Sequence, residues 1–506
     1  MILLGKIWKN LREKGETPAY CCEGERISYR QLGQWTGRLC AYLKKNFRQG
    51  EAILVYGHKQ PMMAAALLAC AFGGFPFVPV DQAAPLKRIK AILASARPQA
   101  VLAVEHLDCP GIAKLSLEKL EKICLEESDG SDTQLPYPKR SDDEIFYIIY
   151  TSGSTGSPKG VRVTCGNLDS FGSWMTELFP KPPAVIINQA AFSFDLSVAD
   201  LWPAFAWGAE EYVICRQTQK NYPLLFSRLE HSRGELMVTT PSFASLLLAD
   251  KSFCKTRLPD LNAIFFCGES LSPITARKLL ERFPGIRILN AYGPTECTVA
   301  VTSAEIGPKE VQLPLLPVGK PKTGVEIRIE KDGIPAVEGE MGEIVILGDS
   351  VAAGYTASDL PHSFGIQDGK RCYHTGDMGW LKNGVLYCAG RRDRQVKIRG
   401  YRVELQDVEK NLQALPGVEQ AAVVCQEAED GRILRLVAFV ILRPGENRTE
   451  AEIRALLAHR LPDYMCPSIR LVKAFPLNEN GKCDWEQLKE IANGRSDFKD
   501  HSDDRE

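Results

Sequence analysis

The stretch Tyr150-Thr151-Ser152-Gly153-Ser154-Thr155-Gly156-Ser157-Pro158-Lys159-Gly160 decides the reading of this chain. It follows the apolar run Phe146-Tyr147-Ile148-Ile149-Tyr150, which predicts a buried strand. Hydroxyls and glycines then alternate, and a lysine closes the loop. Glycines let backbone N–H groups approach phosphate oxygens, hydroxyls donate further bonds, and lysine adds charge. The spacing is not that of a Walker A loop, because the second glycine and the lysine are not adjacent. A generic Ser/Gly run is a polar surface loop. This order, after an apolar strand, reads as a phosphate cradle.

Outward from that loop, short apolar runs alternate with helical patterns. Strands are predicted at Ala52–Tyr56, Ala100–Val104, Ile145–Tyr150, Ala184–Asn188, Tyr212–Cys215, Leu236–Thr239, Ala263–Cys267 and Ile286–Asn290. Amphipathic helices are predicted at Tyr29–Asn46, Leu86–Ala94 and Ile274–Phe283. Such alternation predicts an α/β fold of mostly parallel sheets flanked by helices. Met62 to Val80 is the most apolar stretch, but Gly73, Gly74, Pro76 and Pro79 break it. A spanning helix needs about 20 apolar residues, so this is a buried helix (Met62–Phe72) running into a strand (Phe75–Val80).

From about Val318 the texture becomes a β subdomain. Short strands (Glu326–Glu330, Gly342–Leu347, Val385–Cys388) flank the turn pairs Asp332-Gly333 and Asn383-Gly384. After Gly390 the run Arg391-Arg392-Asp393-Arg394 reads as a linker. Beyond it lies a small α+β unit: strands Gln395–Ile398, Glu419–Gln426, Leu434–Leu442 and Ile469–Val472, and helices Leu405–Leu415 and Thr449–Arg460. The predicted domains are residues 1–392, 393–494 and a charged tail, 495–506.

The chain has 506 residues, 44% of them apolar and 25% charged, which is enough for a sizeable core. A net charge of -1 argues against a broad nucleic-acid or anionic-membrane footprint. Its 16 cysteines are scattered without C-x-x-C, and its 7 histidines lack zinc spacing. The N-terminus carries no secretory pattern. These features predict a cytoplasmic protein with reduced cysteines and no membrane span.

The loop resembles the phosphate loop of the adenylate-forming enzymes. Further stretches occur in that superfamily's order: Gly73 to Asp81, Phe194-Asp195-Leu196-Ser197, Asn290-Ala291-Tyr292-Gly293-Pro294-Thr295-Glu296, Thr375-Gly376-Asp377, Gly390 to Gly400 and Asn480-Gly481-Lys482. A narrower resemblance is carried by Val55 to His58, Thr239 to Phe243, Phe266-Cys267-Gly268-Glu269 and Tyr292–Thr302. These are similar to the branch that activates D-alanine for a carrier protein in teichoic-acid D-alanylation. No carrier domain follows Lys482, which predicts a free-standing enzyme. The alternative is a free-standing peptide-synthetase-type enzyme for another small amino acid.

The resemblance implies two half-reactions. An amino-acid carboxylate attacks the α-phosphate of ATP, releasing pyrophosphate. A phosphopantetheine thiol on a small acidic carrier protein then takes the acyl group, and AMP leaves. Both steps need positioned cations and donors rather than a protein nucleophile. By resemblance, Lys482 is the catalytic lysine, bridging carboxylate and α-phosphate. Thr151 and Ser152 belong to the phosphate loop. Asn290, Ala291, Tyr292, Gly293, Pro294 and Thr295 form the adenine platform. Asp377 takes the ribose hydroxyls, Arg391 accompanies the nucleotide, Glu296 holds Mg²⁺, and Asp393 is the hinge of the small domain.

In the amino-acid pocket, Asp195 matches the partner of the substrate ammonium; a helix N-cap is the competing reading. Cys267 and Val299 match wall residues that read the methyl group by shape. Departures from the family pattern are His374 before Thr375, Phe77 for the usual Tyr, Trp485 where a basic residue is common, and a basic stretch, Arg394 to Arg399, suited to an acidic carrier. The chain is expected to act as a monomer.

Overall fold

The computed structural model describes residues 1–108, 111–125, 135–152, 158–356, 363–392, 394–428, 431–476 and 483–495. Two compact units emerge. The first comprises Met1–Gln82, Leu93–Tyr150 and Gly160–Arg392; the second comprises Ala83–Ile92, Thr151–Lys159 and residues 393–506.

The largest sheet has nine strands. Their spatial order is Lys320–Pro321, Thr302–Glu305, Arg287–Tyr292, Ala263–Phe266, Leu236–Thr239, Val185–Asn188, Glu210–Val213, Pro18–Cys22 and Glu25–Ser28. The inner pairings are parallel, and antiparallel strands close both ends. A six-stranded sheet runs Ala113–Ser116, Ala100–Ala103, Ile53–Gly57, Phe77–Asp81, Ile145–Thr151 and Lys159–Thr164. The predicted α/β class is therefore observed. Leu236–Thr239 begins and ends where predicted, whereas the strand expected at Tyr212–Cys215 is Glu210–Val213.

Two helices are buried around nearly their whole circumference, as apolarity on all faces requires. Pro61–Gly73 is the helix read from Met62–Phe72, and it stops at Gly74 in the left-handed region (φ 83°), where a side chain would be strained. Val198–Trp207 touches Val185–Asn188 and Glu210–Val213 of the large sheet. Its Trp202 stacks on Phe77 at 5.8 Å and meets Phe146 edge-on at 4.8 Å, both from the second sheet. Phe77, lacking the family's usual hydroxyl, thus fills an aromatic seam between the two sheets. Between them, the helix Cys165–Leu178 starts with a capping box in which Thr164 and Asn167 satisfy each other's backbone N–H. Asn167 also donates to the carbonyls of Asp349 (2.6 Å) and Val351 (3.2 Å), tying this layer to the β region.

The β region is antiparallel: Ile334–Pro335, Val325–Lys331, Gly342–Gly348, Lys370–Lys382 and Phe364–Gln367, with Val385–Arg391 on Lys370–Lys382. Both predicted turn pairs adopt positive φ at both residues: 51° and 79° at Asp332-Gly333, 53° and 70° at Asn383-Gly384. That is the conformation a tight hairpin demands.

In the second unit, Gln395–Ile398 pairs with Tyr401–Glu404, and Val418–Glu427, Ile433–Leu442 and Ser468–Leu471 form a three-stranded sheet. Helices Leu405–Gln413 and Glu450–Ala458 match expectation to within two residues, while Trp485–Ala492 is an additional one. Trp485 lies under the Arg394 guanidinium, 3.4 Å from the ring centroid. Arg394 also donates to Glu409 (2.8 Å) and to the Val423 carbonyl (2.7 Å). Arg394, first residue of the basic stretch, is therefore committed to packing within its own unit.

Candidate active site

Asp377 sits in the long strand Lys370–Lys382, directly opposite Arg391. A one-residue bulge opposite Met378–Gly379 creates that pairing. Without it, the register set by the Asn383-Gly384 turn would put Gly390 across from Asp377, because one residue of slip exchanges the two faces of a strand. Arg391 donates to Asp377 Oδ1 at 2.9 Å and to the Thr375 carbonyl at 3.0 Å. The Tyr292 hydroxyl donates to Asp377 Oδ2 at 2.6 Å. Burial, then the Asp377 charge, raises the Tyr292 hydroxyl well above its usual pKa, so it remains a donor. Tyr292 thus joins two residues of one distant hairpin in a single polar cluster. The Tyr292 ring itself packs among Ile327, Ile344, Ile346 and Leu386.

Tyr292 ends the strand Arg287–Tyr292, and the chain then turns sharply. At Gly293 an added Cβ would lie 2.6 Å from the Ala300 Cα, so only glycine lets the returning backbone pass. Thr295–Cys297 forms a 3-10 turn, followed by Thr298 and Val299 at φ 56° and 70°. Left-handed backbone at β-branched residues costs of order 1–3 kcal/mol each and concentrates at functional sites. Among the bonds that hold it are Thr298 Oγ1 to the Ser350 carbonyl (2.8 Å), Ala300 N–H to the Thr298 carbonyl (2.8 Å), Val301 N–H to the Tyr292 carbonyl (2.8 Å), and Cys267 Sγ to the Val299 carbonyl (3.5 Å). The two predicted wall residues, Cys267 and Val299, are therefore in direct contact. Both join Ala291, Ala300 and Leu196 in one buried cluster.

Other platform residues are buried too: Asn290 donates to the Pro317 carbonyl at 2.8 Å, and Thr295 is covered. Glu296 is buried and accepts from the Tyr355 hydroxyl at 2.7 Å. Among the described residues no three His, Cys, Asp or Glu side chains group as a metal cage. A single carboxylate nevertheless suits Mg²⁺, which keeps waters and takes its other ligands from phosphate oxygens.

Asp195 is 6% exposed and opens a 3-10 turn, Asp195–Ser197. The helix expected from Leu196 starts instead at Val198, with Ser197 at its N-cap position and no side-chain cap bond. The Asp195 charge contributes to raising the hydroxyl pKa of the buried Tyr147, after the larger effect of burial. Thr151 ends its strand, and Ser152 Oγ donates to the Arg402 carbonyl at 2.6 Å inside the second unit. The loop residues 153–157, the hinge candidate Asp393 and the catalytic candidate Lys482 lie outside the described residues.

Two buried polar groupings had no predicted role. His58 Nδ1 lies 2.7 Å from Asp81 Oδ2, Arg216 reaches Asp81 Oδ1 at 3.1 Å, and the Arg216 N–H donates to His58 Nε2 at 3.0 Å. Since Nε2 accepts, Nδ1 carries the proton given to Asp81. Next to it in sequence, the fully buried Lys59 donates to the carbonyls of Gln189 (2.9 Å) and Ile214 (3.0 Å). Its charge acts on the buried Asp200 and Glu211, whose carboxyls burial raises, Asp200 to about 7. No local motif joins residues this far apart.

A family model described as AMP-binding enzyme matches residues 7–356, and one described as AMP-binding enzyme C-terminal domain matches residues 407–482. The D-alanine--D-alanyl carrier protein ligase of Bacillus licheniformis is 38% identical over 97% of this chain and 99% of its own. The ligase of the same name from Listeria welshimeri is also 38% identical, over 94% and 96%. Among solved structures, the adenylation domain AlmE of Vibrio cholerae, in complex with glycyl-adenosine-5'-phosphate, aligns with TM-score 0.81 at 23% identity, over 97% of this chain and 98% of that one. That likeness bears on the fold alone.

Proposed function

The chain belongs to the AMP-binding enzyme family, and on that premise we propose that it activates D-alanine with ATP and transfers it to the phosphopantetheine thiol of a D-alanyl carrier protein. It is an ATP-dependent, AMP-forming ligase. The observation that carries the reading is the 38% identity over nearly full length to ligases of that name. The D-alanyl group then serves teichoic-acid D-alanylation.

In the first half-reaction a D-alanine carboxylate oxygen attacks the α-phosphorus, and the bond to the β-phosphate oxygen breaks. Lys482 is assigned to bridge the two reacting anions. Asp377 receives the ribose hydroxyls. A carboxylate accepts about four hydrogen bonds, and Tyr292 and Arg391 use two of those sites. Arg391 holds Asp377 in its orientation. Thr151 and Ser152 flank the phosphate loop, and Asn290 to Thr295 shape the adenine platform. Asp195 pairs with the substrate ammonium; Cys267 and Val299 form the wall beside its methyl group. Glu296 is the residue assigned to Mg²⁺, which when bound offsets phosphate charge.

In the second half-reaction the carrier thiol attacks the acyl carbon and AMP leaves. Residues 1–392 bind ATP and amino acid, and residues 393–494 carry Lys482. Rotation about Asp393 exchanges Lys482 for the Val396–Gly400 region between the two steps. No helix among the described residues is long and apolar enough to cross a membrane. We place the enzyme in the cytoplasm, as a monomer whose assigned site residues all come from one chain.

Amino-acid-dependent ATP–pyrophosphate exchange with D-alanine, L-alanine, glycine and L-serine tests the reading. A preference for D-alanine is expected. Preference for an L-amino acid would leave the mechanism but move the protein to peptide-synthetase-type work. Lys482→Ala is expected to abolish exchange while leaving the melting temperature unchanged.

A further inference from the structure

We propose that Cys22 and Cys215 form a reversible oxidation site, closing to an intrachain disulfide when a peroxide is present. Cys22 ends the strand Pro18–Cys22, whose parallel partner Glu210–Val213 sets Cys22 across from Val213. Cys215 lies two residues beyond Val213, on the same side of the sheet by strand alternation. The two Sγ atoms are 3.2 Å apart. A disulfide bond is about 2.05 Å, so closure asks for roughly an ångström of approach.

The neighbouring Cys21 is not the partner. It packs in the cluster containing Tyr212 and Ile187, on the opposite face, whereas Cys22 and Cys215 share the other cluster. Both thiols are only 6–7% exposed, which excludes bulky thiols and proteins but admits a small oxidant. Lys59 binds the carbonyl of Ile214, the residue before Cys215, and its charge favours the Cys22 thiolate. The adjoining thiol and burial act more strongly in the opposite direction. The pair is therefore slow to start and quick to finish, because the resolving thiol is already in contact.

The chemistry balances with one peroxide. The sulfur of one thiolate attacks a peroxide oxygen, breaking the O–O bond to give a sulfenic acid and, with a proton, water. The second sulfur attacks the sulfenic sulfur, forming the S–S bond and expelling a second water. Two thiols are oxidised and one hydrogen peroxide is reduced. A dithiol reductant reverses the step by exchange.

Cys254 supplies an internal clock. It is partly exposed, and the Thr256 hydroxyl leads the causes that lower its pKa, so it reacts before the buried pair. The test is hydrogen peroxide titration of the full chain, denaturing alkylation, then peptide mapping with fragmentation to separate Cys21 from Cys22. Cys22 and Cys215 should disappear from the alkylated pool together. A linked peptide pair lighter by two hydrogens should appear, and dithiothreitol should restore both thiols. Cys21→Ser should keep the link and Cys22→Ala should abolish it. Full alkylation of Cys22 and Cys215 after Cys254 is completely oxidised would overturn the proposal, as would a Cys215 link that survives Cys22→Ala. The wild-type mapping stands alone if the variant fails to fold.

Discussion

The cluster assigned to the nucleotide and the wall assigned to the amino acid leave from the same Tyr292–Ala300 segment, yet they are built differently. Asp377, Arg391 and Tyr292 are joined by charge-assisted bonds of 2.6–2.9 Å. Cys267 and Val299 meet through a weak thiol contact of 3.5 Å, on backbone held in the left-handed region. Polar bonds fix directions, as hydroxyl recognition requires. A single methyl group offers only about 1 kcal/mol, so it has to be read by the shape of a surface. In this reading, strain at Thr298 and Val299 is what presses that surface into place.

If the contrast holds, the largest effect belongs to Asp377→Ala. It removes the carboxylate that the partly buried Arg391 pairs with, a loss of up to about 3 kcal/mol. Urea unfolding and ATP titration should both register it. Tyr292→Phe removes one hydrogen bond to a charged group, about 1.5–3 kcal/mol. It should raise the KM for ATP roughly tenfold or more, with the D- to L-alanine preference unchanged. Cys267→Ala should do the reverse, shifting that preference by up to about tenfold while the KM for ATP stays put. An altered ATP response in Cys267→Ala would merge the two regions into one.

A further effect lies outside both. Burial lifts the Asp200 carboxyl from its ordinary range to about 7. The folded state then keeps a proton that the unfolded chain releases near pH 4. Stability from this group is full below about pH 4 and is lost as pH rises through about 7. Denaturation measured at pH 5 and pH 8 should show wild type losing about 2–3 kcal/mol more than Asp200→Asn across that interval.

The α/β class was legible because inner strands buried on both faces read as unbroken apolar runs, as at Leu236–Thr239. Asn383-Gly384 was legible because few other pairs accept two positive φ values. Leu3, Leu4, Ile7 and Leu11 lie at helical spacing and form the buried face of the helix Ile2–Glu13, which is not among the predicted elements. Within the site, motif residues such as Asp377 and Arg391 could be named, but not their pairing, which depends on a bulge that no residue pattern announces. Thr298 and Val299 were illegible for the opposite reason: β-branched residues disfavour the backbone they adopt, so only the assembled surroundings impose it. Cys22 and Cys215 lie far apart in the chain and gain meaning only from strand order.

That strand order also sets a timetable for synthesis. Pro18–Cys22 emerges early, but its parallel neighbour Glu210–Val213 is made much later. At about 5–20 residues per second, the N-terminal hairpin waits roughly 10–40 s on the ribosome with an open edge. Its outer strand carries Glu25 and Arg26, exposed charges that discourage pairing with a stranger at the hairpin's other edge.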